Sequence, residues 1–189
     1  MNQVLKVNNL FRYATSELSQ DAFICWLLSH ATEAGWNEDP QLRECAVVFL
    51  NRVLQAHNIN WTWDMRITKI DKQYKNIDVL VQIGDIYIII EDKTFTDTHD
   101  DQINRYKKTL IDEGKESQNI ICVYYKIEEQ PSPESDVDFE FTRDILLDIF
   151  RSYKDTIQNP IFCDYLDYLE SIDFEINSYQ RLPISEWSY

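Results

Sequence analysis

Glycine is nearly absent, at three residues in a chain of 189. That scarcity excludes the phosphate loops and dinucleotide turns that need clustered glycines to bring backbone against a phosphate. Cysteine is sparse too. Cys25, Cys45, Cys122 and Cys163 stand far apart, with no CxxC pair and no histidine at zinc-ligand spacing. A zinc ribbon or a disulfide framework is therefore excluded, and reduced, buried thiols in a cytoplasmic protein are the plain reading. No apolar run reaches the length of a bilayer span, and Met1-Asn2-Gln3-Val4-Leu5-Lys6 lacks a signal-peptide core, so no membrane partner is expected. Internal repeats are missing as well.

Positive charge is the next shortage. Lys and Arg number 18 against 33 Asp and Glu, a net charge of −15 that argues against a general nucleic-acid coat. The distribution changes that picture. Residues 66–115 hold nine bases against ten acids, whereas residues 128–173 hold thirteen acids against three bases. For that acidic third, a solvated surface is a simpler account than an acidic binding face. What the chain does have is 44% hydrophobic and 13% aromatic residues, enough for one globular domain over residues 1–189.

The stretch Asn76 to Lys93 organises the rest. Two β-branched apolar runs flank Gly84-Asp85, a pair suited to a two-residue type II′ hairpin turn. With that turn Ile83 faces Ile86, Asp78 falls opposite Glu91, and Lys93 lies on their face, diagonal to Asp78. Ile77, Val79, Val81, Ile83, Ile88 and Ile90 line one side of the hairpin, and Leu80, Tyr87 and Ile89 the other. Directly paired Cβ atoms lie about 5 Å apart, near enough for two carboxylates to share a cation. Two readings stand side by side here. The pair is a charged site, or Lys93 neutralises it as a structural salt bridge.

Around the hairpin, the spacing predicts a helix from Ser16 to Ala34 with Leu18, Ala22, Cys25, Trp26 and Ser29 inward and Gly35 as its stop. Glu17 falls in its first turn, where its charge suits the helix dipole. Asp39-Pro40 should open a second helix to about His57. Trp61 to Thr68 alternates like a half-buried strand, and residues 71–75 turn it into the hairpin. Thr98 should cap a helix to about Glu113 with Ile103, Tyr106 and Leu110 inward and Gln102 on the face of Tyr106. Residues 119–125 then form an apolar strand, completing a right-handed βαβ unit. An acidic loop over 128–140 precedes two helices, from Thr142 to about Gln158 and from Asn159-Pro160 onward, which together span about 142–171.

Asp78, followed on the next strand by Glu91-Asp92-Lys93, resembles the PD-(D/E)XK nuclease superfamily, with Ile77-Asp78 in place of the usual Pro-Asp. Glu17 resembles the extra acidic residue that many members carry on an earlier helix. Gln102-Ile103-Asn104-Arg105-Tyr106 is similar to the QxxxY element of exonuclease-like branches. The resemblance covers a core of about residues 15–125. It implies an α/β, restriction-endonuclease-like fold, with a central mixed sheet flanked by helices. It also implies a nuclease that uses Mg²⁺, with Mn²⁺ as a substitute, and DNA as the default nucleic acid. By that resemblance Asp78, Glu91 and Glu17 are the metal ligands, with the carbonyl of Asp92 as a further donor. Lys93 is the catalytic lysine, and Gln102 and Tyr106 position substrate or Lys93. Tyr106 is also a candidate for plain core packing, Asp92 points to the other face, and His99 is read as a loop cap.

Lys72, Lys75, Arg105 and Lys108 flank the motif and are candidates for phosphate contact without base readout. Two rivals remain beside the nuclease. One is a non-catalytic module of the same fold that binds a basic protein through its acidic surface. The other is a structural subunit, homo-oligomeric or docked onto another chain by its aromatic tail.

Overall fold

The computed structural model describes residues 5–14, 17–92, 102–128 and 137–177, leaving aside the side chains of Glu17 and Leu18. The elements are α1 (Glu17–Ser29), α2 (Pro40–Gln55), β1 (Lys69–Tyr74), β2 (Ile77–Ile83) and β3 (Ile86–Asp92). They continue with α3 (Gln102–Asp112), β4 (Ile120–Tyr125), β5 (Phe139–Phe141), α4 (Arg143–Arg151) and α5 (Pro160–Ile176).

The five strands form one sheet in the order β1-β2-β3-β4-β5. β1, β2 and β3 are antiparallel neighbours, and β4 and β5 run parallel to β3. This is the expected α/β architecture, a mixed sheet flanked by helices. The hairpin register is as the sequence implies, from Ile83 opposite Ile86 to Val79 opposite Ile90. Gly84 takes a positive φ of 58°, as the first central position of a type II′ turn requires. The β3-α3-β4 connection yields the expected parallel pair.

Two apolar layers sandwich the sheet. On one face, Val79, Val81, Ile83, Ile88 and Ile90 pack with residues of α1, α2, α4 and α5. On the other, Leu80, Tyr87, Ile89, Cys122 and Tyr124 pack with Ile103, Tyr106 and Leu110 of α3. Ile77 departs from strand alternation and joins the α3 layer instead of Val79's. It directly follows Lys75 and Asn76, both at positive φ, so the chain is turning sharply where it enters β2.

Helix ends follow local chemistry. Asp39 Oδ1 accepts the amides of Gln41 and Leu42, capping α2 ahead of Pro40. Thr142 and Asn159 cap α4 and α5 in the same way. Both α1 and α4 end earlier than the spacing predicts, at Ser29 and Arg151. Past Ser29 the chain folds back to bring Thr32 beside Ile67 in a single parallel bridge.

The first strand also differs from expectation. Residues 61–66 alternate in sequence but not in burial, since Trp63 is 87% exposed. Pairing begins later, at Lys69, because Lys75-Asn76 supplies the tight two-residue turn with both φ values positive. At the other sheet edge, β5 lies within the span expected as an acidic loop, paired to β4 through Val123 and Phe139.

The acidic third is partly internal. Glu170 and Asp173 of α5 are each 6% exposed. Arg151 and Lys154 reach Glu170 at 3.1 and 2.8 Å, and Arg143 reaches Asp173 at 3.6 Å. All three bases of that stretch thus bind α4 and its following turn to α5.

Gly35 and Gly84 predict contrasting losses. A Cβ at Gly35 would meet the Ser29 carbonyl oxygen at 2.2 Å, whereas nothing lies within 4 Å at Gly84. Gly35→Ala should therefore cost about 3 kcal/mol or more in urea denaturation, by overpacking against backbone. Gly84→Ala, strained only in φ, should cost about 1 kcal/mol. Equal losses would mean that the backbone around Gly35 relaxes freely.

Candidate functional site

β2 and β3 are buried on both faces along most of their length, so within these strands charge enters only at the end away from the turn. There Asp78 is half-buried, while Glu91 and Asp92 are each 2% exposed. β3 remains in the sheet through these two acids, with Glu91 beside Tyr124 and Asp92 beside Tyr125 of β4. Their backbone is therefore held while their side chains alternate between layers.

Glu91 falls on the α3 side. Burial first, and then the negative charges of Glu91 and Asp78, push the Tyr106 phenol above its ordinary value, with the Gln102 hydrogen bond opposing them. Both carboxylates thus act on one phenol of α3, as the hairpin register requires. Asp92 turns to the opposite layer, where its charge adds to the burial that raises the phenols of Tyr125, Tyr165 and Tyr168. The expectation that Asp92 points away from Asp78 and Glu91 agrees with this geometry.

Asp78 is fixed at both oxygens. Its Oδ2 accepts the backbone amide of Asp92 at 3.1 Å, and its Oδ1 accepts from Gln73 Nε2 at 3.1 Å. The same Gln73 nitrogen lies 3.4 Å from Oδ2 of Asp21, on α1. Asp21 is 1% exposed. On α3, Gln102 Nε2 donates to the Tyr106 hydroxyl at 2.6 Å, so the two ends of the QxxxY element are in contact. Tyr106 also belongs to the α3-side core, as the packing alternative for this residue expects.

Asp21 and Gln73 are the residues that sequence reasoning missed. The inward face expected for α1 included Ala22, which is exposed, whereas Asp21, Phe23, Ile24, Leu27 and Leu28 are buried. α1 carries apolar residues almost all round, so periodicity does not single out its buried face. The available signal was spacing. Asp21 follows Glu17 by four residues, a spacing that the sequence alone displays.

The remaining expected residues are placed unevenly. Lys93 and His99 lie outside the described residues, as does the side chain of Glu17, whose backbone opens α1. Lys72 is exposed, and its charge and that of Asp21 both act on Cys25, whose thiol burial pushes up to about 11. Lys75 is paired with Glu113 near the far end of α3, together with the Tyr74 hydroxyl. Arg105 and Lys108 are exposed on α3.

For a cation, the described residues offer Asp78 and Glu91 on one face. Among them no group of three or more His, Cys, Asp or Glu side chains converges to hold a metal. The donors are carboxylate oxygens, which suit a hard divalent ion that keeps several waters, as Mg²⁺ does. The donor chemistry of this pair fits Mg²⁺.

A family model described as the PD-(D/E)XK nuclease superfamily matches residues 8–186. No curated protein and no solved structure gives a significant match. Among the described residues, no helix is long and apolar enough to cross a membrane.

The phenols behind Asp92 predict an alkaline limit. Burial raises Tyr125 and Tyr165 above the ordinary value of 10.0 and pushes Tyr168 up to about 12. A raised phenol stays neutral in the fold while its unfolded counterpart ionises near 10. The stability it contributes is therefore full below pH 10 and is lost as pH climbs toward 12. Phenolate absorbance of these residues should rise together with loss of far-ultraviolet circular dichroism. Full tyrosine ionisation at pH 10–11 with native dichroism would contradict the burial.

Proposed function

Because this chain belongs to the PD-(D/E)XK nuclease superfamily, we propose that it is a divalent-metal-dependent nuclease hydrolysing phosphodiester bonds, with DNA as its substrate. What supports this reading is the hairpin register, in which the pairing of Val79 with Ile90 continues toward Asp78 and Glu91, together with the Gln102–Tyr106 contact on the helix that follows. The four free thiols, Cys25, Cys45, Cys122 and Cys163, suit work in the reducing cytoplasm.

Asp78 and Glu91 would hold Mg²⁺ or Mn²⁺, with Glu17 as a further ligand. When bound, such an ion neutralises charge on a phosphate oxygen and makes water a stronger acid. Every other role belongs to the chain. Asp78, fixed by Gln73 and the Asp92 amide, presents its carboxylate in one orientation. Lys93 orients the attacking water and offsets charge building on the phosphoryl oxygens. Tyr106 keeps its proton through neutral pH, because burial and two carboxylates oppose its ionisation, and so it can donate to a phosphate oxygen. Gln102 fixes the direction of that hydroxyl. Arg105 and Lys108 on α3, with Lys72 from β1, would meet phosphates outside the scissile group. Lys75 already has Glu113 and contributes less.

The test uses labelled DNA and RNA with the purified chain, with and without Mg²⁺ or Mn²⁺. Cleavage that requires the metal and stops with a chelator is expected. Asp78→Asn and Glu91→Gln should each lower it on the order of a hundredfold or more and weaken metal binding. Lys93→Ala should remove cleavage by a similar factor but leave Mn²⁺ affinity intact, because an ammonium is not a metal ligand. A wild type that binds metal but cleaves neither polymer would overturn the nuclease reading. Cleavage of RNA alone would replace the substrate.

Neutralising Arg105 and Lys108 together should weaken DNA binding. It should also flatten the dependence of log affinity on log salt, by about 0.9 for each phosphate that is no longer neutralised. An unchanged slope would mean that these side chains are only solvated.

A further inference from the structure

Gln73 is an unusual residue to find where it stands. It lies in β1, yet its φ is +58°, a left-handed conformation that glycine or asparagine adopts more readily. Its side chain is directed at two carboxylates from two different elements, with one amide nitrogen 3.1 Å from Asp78 Oδ1 and 3.4 Å from Asp21 Oδ2. A primary amide has two hydrogens on that nitrogen, so one group can serve both acids without neutralising either. A lysine here would cancel the charge, and a glutamate would repel it.

The second oxygen of Asp78 is engaged independently by the Asp92 amide at 3.1 Å. Asp78 therefore has one oxygen tied to β3 and the other to α1 through Gln73. An aspartate held only at Oδ2 would still swing about that hydrogen bond. One held at both oxygens is fixed in rotation. Gln73 thus joins α1, β1 and β2 at the end where charge enters the buried strands, and it does so from a backbone conformation that costs stability.

We propose that Gln73 is a positioning residue for this site, locking the Asp78 carboxylate between the Asp92 amide and the buried Asp21 so that it is preset for a divalent cation. The proposal rests on the metal-dependent reading above only for its consequence in metal binding. The lock itself exists without metal.

The experiment compares wild type with Gln73→Gly and Gln73→Met. Glycine relieves the left-handed backbone and deletes the bridge, so its melting temperature should equal or exceed that of wild type. Methionine keeps the length and the backbone strain but has no donor, so its melting temperature should not rise. In metal-free protein, amide hydrogen exchange at Asp92 should speed up at least several-fold in both variants, because a freed Asp78 leaves that amide. Exchange at the β3 interior, Ile88 to Ile90, should be unchanged. Mn²⁺ affinity should fall by roughly 10- to 100-fold in both, the usual effect of removing a group that orients a metal ligand.

A structural role alone would make these losses follow melting temperature, with the glycine variant spared. Unchanged Asp92 exchange in both variants would overturn the proposal. So would loss confined to methionine. If wild type binds no divalent ion, the metal-dependent reading falls, while Asp92 exchange still decides whether Gln73 locks Asp78.

Discussion

A strand pair buried on both faces has no place for charge except at its ends, and the β2–β3 pair obeys that constraint. Val79 to Ile83 and Ile86 to Ile90 face apolar neighbours above and below the sheet. At the last residues the alternation of side chains separates three acids into two groups. Asp78 and Glu91 act on Tyr106 on the α3 side, and Asp92 lies among the phenols on the other. The backbone links the groups, because the amide of Asp92 is the donor that holds Asp78. A change on either face is thus felt at the same carboxylate.

The face carrying Asp92 gives the site its foundation. Tyr125 and Tyr165 are hydrogen-bonded through their hydroxyls at 2.6 Å, and Tyr165 donates onward to Gln20 at 2.6 Å. Gln20 is fully buried and precedes Asp21 in the chain. The ring of Tyr165 stacks on Phe23, also on α1, with 3.6 Å between centroids. Through these contacts α5 sets where α1 sits, and α1 presents Asp21 to Gln73. The C-terminal helices are therefore part of the support of the candidate site. Buried polar chains of this kind fix one arrangement of helices more sharply than apolar packing alone.

Legibility in the sequence followed the range of the physics involved. The hairpin register, the Asp39-Pro40 start of α2 and the inward stripe of α3 are set by residues a few positions apart, and each is as the sequence implies. Trp61 to Arg66 shows alternation without pairing, because a strand needs a partner and β2 meets its partner through the Lys75-Asn76 turn. β5 is three residues long, and its place is set by β4 rather than by its own composition. For the site, Asp78, Glu91 and the Gln102–Tyr106 pair were visible as a pattern. Asp21 and Gln73 were not, because their roles come from a contact between α1 and β1 that spans 52 positions.

Charge is distributed across the sheet in a way that net charge conceals. α4 and α5 lie on the layer opposite α3, and the α4 region exposes Asp144, Asp148 and Asp155. Arg105 and Lys108 are exposed on α3, the side toward which Asp78 and Glu91 act. A polyanion approaching such a molecule meets these exposed acids on the α4 side and the exposed bases Arg105 and Lys108 on the α3 side. The field then favours one approach over the other even though the whole chain is negative at −15. Because exposed charges act over roughly 8 Å at physiological salt, this selection operates close to the surface, and the acidity of the far layer opposes binding there only weakly. An acidic protein can in this way engage an anionic polymer, provided its bases and its candidate site share a side of the sheet.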